Sequence, residues 1–425
     1  MKPIQLVSIA DSDNDAYTLL HGERDDPLNG RHGVAAAVRD ILLGSTAIDA
    51  WWILTADGWY DAASGLRVAQ DIDQLRDYSG VLFDPLRHYR DRLAMFRAQH
   101  QLPWPIVTMA HSVGYGPWVA RGQADLLWDP HPQDVVLFPS EAARAAWKEL
   151  NEHLQQLSGR PTSLPQTEIL PYHVTKVRSE HRASPAATEG SGHMLLTIGR
   201  LDPIEKFDFV AYARACHEVG KADDIYVMIA GRERSPDSTA WIEEIFRELA
   251  PDVRITVRPN ITDREKWDLL WEAAALIHPT NSHAESFGIV LDEASATGLP
   301  IVASNFSGQP EALQGYANAR LATGSWPSPP ATNADTLLQF GRMSGGRIDP
   351  TSLAEGIRWA LTAGRTTAGA HDSDSNFADQ LLETLAKAAP VCSRTNLRGI
   401  TSPLSAFSDY WQESRSQASR DRAAR

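Results

Sequence analysis

Two basic residues follow an apolar run in the second half of the chain. The segment LLTIGRLDPIEKFD, residues 195–208, leads from a predicted buried strand into Gly199 and Arg200, and Lys206 lies six residues after the arginine. Side chains at the carboxyl end of a parallel strand project into the crevice where open α/β sheets bind ligands. An arginine and a lysine in that place could bind a diphosphate. Taken alone, the pair could equally be two solvated side chains of a loop.

A second segment adds two carboxylates to this chemistry. In HPTNSHAESFGIVLDEASATGLPIVAS, residues 278–304, a predicted strand is followed by Glu285, a turn at Gly288 and a helix that contains Glu293. The glycine allows backbone N–H groups to approach an anion, and a helix N-terminus favours a phosphate. Glu285 precedes the helix and Glu293 lies two turns into it, so the two can contact opposite ends of one bound molecule.

Together these residues resemble the C-terminal signature of glycosyltransferase family 4, the retaining, nucleotide-sugar-dependent enzymes of GT-B fold. The resemblance covers residues 195–313 and includes ATGLPIVAS and GQPEAL. It implies that Arg200 and Lys206 hold the donor pyrophosphate, and that Glu285 contacts hydroxyls of the donor sugar. It further implies a set of donor-binding residues, in which Glu293 binds the ribose hydroxyls: Gly199, Gly231, Ser286, Phe287, Gly288, Ile289 and Glu293.

The N-terminal half resembles the same family more loosely. The segment NGRHGVAAAVRDIL, residues 29–42, resembles a glycine-rich turn into a long helix that approaches the donor. Gly30 and Gly33 therefore join the predicted donor site, although Arg31 and His32 separate them where adjacent glycines are usual. The segment TMAHSVGYG resembles a strand end that presents a histidine to the donor sugar, and this role falls to His111. A residue that caps the next helix is the alternative for His111.

Composition excludes several other classes of protein. The chain has 425 residues, of which 43% are hydrophobic and 22% charged, as in ordinary globular domains. A net charge of −14 repels nucleic-acid phosphate and anionic lipid, so neither is an expected partner. Cys216 and Cys392 could form at most one bridge and stand outside any zinc-binding spacing, so neither a disulfide scaffold nor a structural zinc site is expected. Without a run of about 18 apolar residues, no stable membrane insertion is expected, and the predicted location is cytoplasmic.

Regular alternation of apolar runs and helical spacing predicts the elements that position these residues. Short apolar runs suit strands buried on both faces, and strands that alternate with helices predict parallel, doubly wound sheets. In the first half the predicted strands are 5–10, 48–54, 81–83, 105–110, 134–138 and 168–170. In the second half they are 195–199, 225–231, 253–257, 275–279 and 300–304. The predicted helices between the latter are 207–219, 240–250, 264–274 and 289–297.

The predicted organisation is α/β, with two Rossmann-like doubly wound domains that face a central cleft in the GT-B manner. Residues 1–174 form the acceptor-binding domain, 175–192 a polar linker and 193–375 the donor-binding domain. Residues 376–411 form a helical region that returns to the first domain, and 412–425 a polar tail. The stretch 323–350, rich in proline and glycine, reads as an inserted loop.

The resulting hypothesis is a retaining glycosyltransferase that moves a sugar from a nucleoside diphosphate sugar to a small soluble acceptor, such as a secondary metabolite. UDP-sugar is favoured as donor and GDP-sugar is second. No metal and no cofactor are expected, because the Asp-x-Asp pairs at 11–13 and 372–374 stand in solvated surroundings. Two alternatives stay open: another GT-B enzyme, such as an epimerase or a phosphorylase, and a non-catalytic nucleotide-sugar-binding partner.

Overall fold

The chain is described here from a computed structural model, which contains two sheets in sequence order. The described residues are 4–10, 13–21, 30–69, 80–86, 90–111, 131–158, 165–174, 192–202, 206–233, 235, 237–282, 285–325, 347–366 and 373–389. The predicted linker apart from Gly192, and the whole predicted tail, lie outside these ranges, as does most of the predicted inserted loop.

The first sheet has eight strands in the order β4-β3-β2-β1-β5-β6-β7-β8. Its strands are β1 Ile4–Ile9, β2 Ile48–Thr55, β3 Gly58–Asp61, β4 Arg67–Val68, β5 Gly80–Asp84, β6 Ile106–Met109, β7 Val135–Phe138 and β8 Gln166–Ile169. The five pairings between neighbours from β2 to β8 are all parallel, whereas β3 and β4 add an antiparallel edge. Sequence analysis predicts the parallel strands and misses this edge, whose short strands are half exposed and partly polar.

The second sheet has six parallel strands in the order β11-β10-β9-β12-β13-β14. These are β9 His193–Ile198, β10 Ile225–Gly231, β11 Arg254–Pro259, β12 Ala275–His278, β13 Ile301–Ser304 and β14 Ala319–Ala322, and a separate two-stranded ribbon pairs β15 Gly324–Ser325 with β16 Arg347–Ile348. Counted within the domain, the order is 3-2-1-4-5-6, in which the direction reverses between β9 and β12. The predicted α/β class with parallel, doubly wound sheets is confirmed.

Helices cover these sheets and connect their strands. They are α1 Asp13–His21, α2 Gly30–Leu43, α3 Arg90–His100, α4 Glu141–Ser158, α5 Phe209–Gly220, α6 Asp237–Leu249, α7 Asp263–Glu272, α8 Ile289–Ala296, α9 Gln309–Ala312, α10 Pro350–Ala363 and α11 Ser373–Ala388. Capping residues in the sequence determine where two of these helices begin. Thr262 and Glu265 form a reciprocal capping box at α7, and the Asp208 carboxylate caps α5.

One hydrophobic core reaches from the first domain into the second. Helix α11, at the end of the described chain, lies against the first domain. The ring of Phe377 meets that of Tyr172 edge-on with centroids 6.4 Å apart, and the Thr384 hydroxyl donates to the Glu168 carboxylate at 2.6 Å. Helix α11 therefore packs on the first domain although it follows the second in sequence.

Gly231, at the end of β10, permits a close approach of two strand ends. Its φ is +153°, and a Cβ atom placed there would lie 1.6 Å from the Gly199 carbonyl oxygen. We expect Gly231→Ala to lower the free energy of unfolding by several kcal/mol, because a backbone clash is added to the strained φ. Gly315→Ala is the matched control: φ is +84° there and nothing lies within 4 Å of the added Cβ. Urea unfolding compares them, and equal losses would contradict the prediction.

Candidate functional site

The candidate site lies at the carboxyl ends of β9 and β12, where the strand order of the second sheet reverses. Arg200 and Lys206 follow β9, and Glu285 follows β12. Because these strands are neighbours in the sheet, residues 79 positions apart in sequence come into contact. The crevice beyond the strand ends at such a reversal is the usual ligand position in open α/β sheets.

Lys206 and Glu285 form an ion pair in this crevice. The Lys206 ammonium donates to Glu285 Oε2, and both side chains are largely buried, with 16% and 12% exposed. Burial lowers the pKa of Lys206 to about 7, with a smaller contribution from the positive charge of Arg200. Contact with the Glu285 carboxylate acts in the opposite direction, because it stabilises the charged ammonium. The Thr280 hydroxyl also donates to the Lys206 carbonyl at 2.6 Å, which ties the two loops together.

Arg200 lies at the rim of the same crevice. Its side chain is exposed, and within the described part of the chain the guanidinium has neither a hydrogen bond nor an ion pair. An arginine offers donors in a planar fork that matches phosphate oxygens. Among the described residues, the crevice therefore presents a cation without a partner, Arg200, beside a second cation that is paired with a carboxylate. This arrangement can bind an anion, and the second cation can turn toward it.

The turn between β12 and α8 brings backbone groups close to this pair. Gly288 precedes α8 with a φ of +89°, in the left-handed region that favours glycine. Ile289 is the first residue of the helix. Phe287 is buried, and its ring lies against Tyr172 and His173 of the first domain at centroid distances of 6.2 and 5.0 Å. In this structure Phe287 thus contributes packing between the domains.

Ser286 and His111 meet across the domain boundary. The Ser286 hydroxyl donates to the His111 carbonyl at 2.7 Å, and the Ser140 hydroxyl donates to the Ser286 carbonyl at 2.7 Å. Nε2 of His111 lies 2.6 Å from the carbonyl oxygen of Pro85, just after β5. The structure therefore places His111 next to the second domain's loop, and its contact with a donor sugar stays a prediction.

Glu293 pairs with a lysine other than Lys206. Its Oε1 accepts from the Lys266 ammonium at 2.7 Å, and both side chains are almost fully buried, with 5% and 2% exposed. Asp263 also lies 3.0 Å from that ammonium. Sequence reasoning missed Lys266, although a lysine beside Trp267 on the buried face of α7 is an available signal. The ribose contact of Glu293 stays a prediction.

A second residue that sequence reasoning missed is Glu311, within the GQPEAL segment. Its two carboxylate oxygens accept from the backbone N–H groups of Glu141 and Ala142, at 2.6 and 2.9 Å. Those groups belong to the first turn of α4 in the other domain. Negative charge at a helix N-terminus is stabilising, since unpaired N–H groups and the helix dipole meet there. Glu311 therefore caps a helix of the opposite domain.

The remaining predicted positions are glycines, two in the first domain and one in the second. Helix α2 begins at Gly30, so Gly30 and Gly33 belong to its first turn, where sequence analysis expected a loop that leads into the helix. Gly199, in the second domain, packs against Phe207, whose ring would lie 2.6 Å from an added Cβ.

Among the described residues no group of three or more His, Cys, Asp or Glu side chains could hold a metal, and no helix is long and apolar enough to cross a bilayer.

Comparison with known proteins finds similarity mainly in the second domain. Residues 178–334 match the family model described as Glycosyl transferases group 1. D-inositol 3-phosphate glycosyltransferase of Corynebacterium efficiens is 32% identical over 176 residues, which are 39% of this chain and 39% of that protein. The same-named protein of Frankia alni is 28% identical over 184 residues, 40% of this chain and 43% of that protein. The chain thus matches about two fifths of the length of these curated relatives.

Solved structures resemble nearly the whole chain. HepE of Anabaena, in complex with UDP and glucose, has a TM-score of 0.53 at 16% identity, and the match covers 90% of this chain and 99% of HepE. α,α-Trehalose 6-phosphate synthase of Burkholderia multivorans has a TM-score of 0.50 at 13% identity, with 91% and 98% covered. The chain therefore has the two-domain, Rossmann-like GT-B fold, and its residues 178–334 match the Glycosyl transferases group 1 model.

Proposed function

We propose that this protein is a retaining glycosyltransferase that moves a sugar from a nucleoside diphosphate sugar to a small soluble acceptor. The observation that carries the proposal is Arg200, which has no partner among the described residues, beside the Lys206–Glu285 pair at the strand reversal. Two cations can bind a diphosphate there, and one carboxylate can bind sugar hydroxyls. UDP-sugar is the favoured donor and GDP-sugar the second. The UDP and glucose bound by HepE, which shares the fold, support this order.

Binding of the donor would exchange the partners of Lys206. The ammonium lies on Glu285 in the structure, and a diphosphate between Arg200 and Lys206 would attract it by its greater negative charge. Glu285 would then be free to accept hydrogen bonds from hydroxyls of the sugar. Lys206 and Glu285 therefore neutralise each other before the donor arrives, which lowers the cost of burying an ammonium and a carboxylate.

In the proposed transfer the bond between the anomeric carbon and the diphosphate oxygen breaks while the acceptor oxygen bonds to that carbon on the same face. The departing electron pair stays on the diphosphate, and a phosphate oxygen takes the acceptor's proton. Arg200, Lys206 and the backbone N–H groups near Gly288 would stabilise the growing negative charge. No step in this scheme requires a metal, and we propose that transfer is metal-independent.

A thermal-shift panel of UDP, GDP, ADP and their sugars tests the donor class. Ligand present at a hundred times its dissociation constant should add about 2.7 kcal/mol to the free energy of unfolding. We expect the melting temperature to rise most with UDP and UDP-sugars, and the rise with UDP to be smaller in Arg200→Ala. Unchanged melting temperatures with every nucleotide of the panel would contradict the proposed function.

A further inference from the structure

His278, the last residue of β12, is a buried histidine directly beneath the Lys206–Glu285 pair. Its side chain is 1% exposed, and neither ring nitrogen has a hydrogen-bond partner among the described residues. Nε2 lies 3.7 Å from Glu285 Oε2, beyond hydrogen-bond distance but separated by no more than a small movement. Nothing in the exchange of Lys206 between Glu285 and the diphosphate yet uses this residue.

An imidazole without partners is costly at a buried position. Taking a polar group out of water without a compensating hydrogen bond lowers stability, and buried polar groups in folded proteins nearly always have a partner. Leucine or phenylalanine would fill the same place without that cost. Two ring nitrogens without a partner among the described residues, at the end of an otherwise apolar strand, therefore indicate a partner that is engaged in another state of the protein.

The surroundings of His278 keep one nitrogen directed at the ion pair. The Phe207 ring meets the imidazole edge-on with centroids 5.2 Å apart, and Nε2 would lie 3.9 Å from a Cβ placed at Gly288. Burial, and secondarily the charge of Lys206, hold the pKa of His278 well below its usual value. The ring is consequently neutral and carries one N–H, which it can donate without adding a third cation to the crevice.

We propose that His278 is a positioning residue that donates a hydrogen bond from Nε2 to Glu285 once the donor diphosphate has drawn Lys206 away, and so fixes Glu285 for the sugar. The inference rests on the proposed function, because it needs a diphosphate that competes for Lys206. Without His278, departure of the ammonium would leave a largely buried carboxylate whose Oε2 has no donor among the described residues. With it, the negative charge of Glu285 keeps a partner in both states.

The test measures binding of UDP and of UDP-glucose by calorimetry, together with the melting temperature. In His278→Leu we expect the dissociation constant of UDP to stay within about twofold of wild type and that of UDP-glucose to rise about tenfold, the value of one hydrogen bond to a charged group. The melting temperature should stay equal or rise, because a buried unpaired polar group is removed. His278→Gln, whose amide can reach the Nε2 position, should keep most of the affinity for UDP-glucose.

Two further variants separate positioning from general packing. Thr197→Val is the matched control, since its buried hydroxyl donates to the Ile277 carbonyl at 2.8 Å in the same sheet; it should lower the melting temperature and leave both affinities unchanged. A double-mutant cycle of His278→Leu with Glu285→Gln should be non-additive for UDP-glucose, as expected when one residue acts through the other.

The outcomes distinguish this inference from the function on which it rests. Wild-type affinity for UDP-glucose in His278→Leu, equal losses for UDP and UDP-glucose, or additivity in the cycle would overturn the role of His278 and leave the proposed function standing. Failure of the glutamine variant to retain affinity would overturn the donated hydrogen bond. A wild-type protein that binds neither UDP nor UDP-glucose would overturn the proposed UDP-sugar function and the inference together.

Discussion

Replacing Arg200 or Lys206 by alanine is expected to slow sugar transfer by about ten- to a hundredfold or more. Each charge-assisted contact is worth about 1.5–3 kcal/mol, and negative charge on the diphosphate grows as the glycosidic bond breaks. The two cations should therefore matter more in the transition state than in the bound donor. We expect kcat to fall by a larger factor than the donor dissociation constant rises, with the anomeric configuration of the product unchanged.

Steady-state kinetics and donor binding measured on the same preparations check this expectation. Arg200→Ala is the cleaner variant, because the exposed guanidinium has no described partner to orphan. Lys206→Ala also removes the partner of Glu285, so its melting temperature must be reported beside its rate. Arg254→Ala is the matched control. This arginine is the first residue of the edge strand β11, at the end of the sheet away from the crevice, and forms an exposed ion pair with Asp224.

Two results would contradict this account of leaving-group stabilisation. One is a near-normal kcat in both alanine variants at saturating donor. The other is wild-type activity that EDTA abolishes and manganese restores, since a metal would then neutralise the diphosphate. Control variant Arg254→Ala should behave as wild type in both assays.

The second large effect concerns Glu293 and Glu285. We expect their glutamine variants to lose different properties, UDP binding in one and turnover of the UDP-sugar in the other. Glu293→Gln is expected to weaken binding of UDP itself by about tenfold or more, because a carboxylate that accepts from ribose hydroxyls is replaced by a neutral amide. Glu285→Gln should spare free UDP and reduce sugar-dependent turnover. Calorimetry with UDP and turnover of a UDP-sugar separate the two effects. Equal losses of UDP affinity in both variants would show that the assignment is wrong.

Glu293→Gln needs a control for stability because of its buried partner. Breaking one side of a buried ion pair costs about 3–5 kcal/mol when the other charge is left unpaired, and Asp263 near Lys266 should reduce that cost. In the double variant Glu293→Gln with Lys266→Met the orphaned ammonium is gone, so the melting temperature should recover. The affinity for UDP should not recover. If both the melting temperature and the affinity for UDP recovered, Glu293 would have a structural role only.

Most of the fold could be predicted from patterns within single segments of the sequence. Runs such as Ile225–Gly231 are apolar enough to specify strands buried on both faces, and their alternation with helical spacing specifies parallel order. The antiparallel edge formed by Gly58–Asp61 is missed because a four-residue, half-buried strand leaves little periodicity. Its neighbour Arg67–Val68 is shorter still.

In the candidate site, sequence does not predict which residues from distant segments contact each other. The basic and acidic members of the crevice are visible in sequence because both follow strands, but their direct pairing depends on β9 and β12 being neighbours. Lys266 lies on another helix from Glu293, and no spacing rule connects them. His278 lies within an apolar strand pattern, and sequence cannot show that both its ring nitrogens lack a partner among the described residues.

The cap that Glu311 provides gives the protein an internal reporter of domain movement. The first N–H groups of α4 receive their acceptor from the other domain, so separation of the domains leaves the amides of Glu141 and Ala142 open to solvent. Amide hydrogens exchange with deuterium when such a bond opens, at a rate that measures the free energy of the local opening. Exchange at these two positions, compared with the interior of α4, would therefore report how often the cleft opens, without any label in the crevice itself.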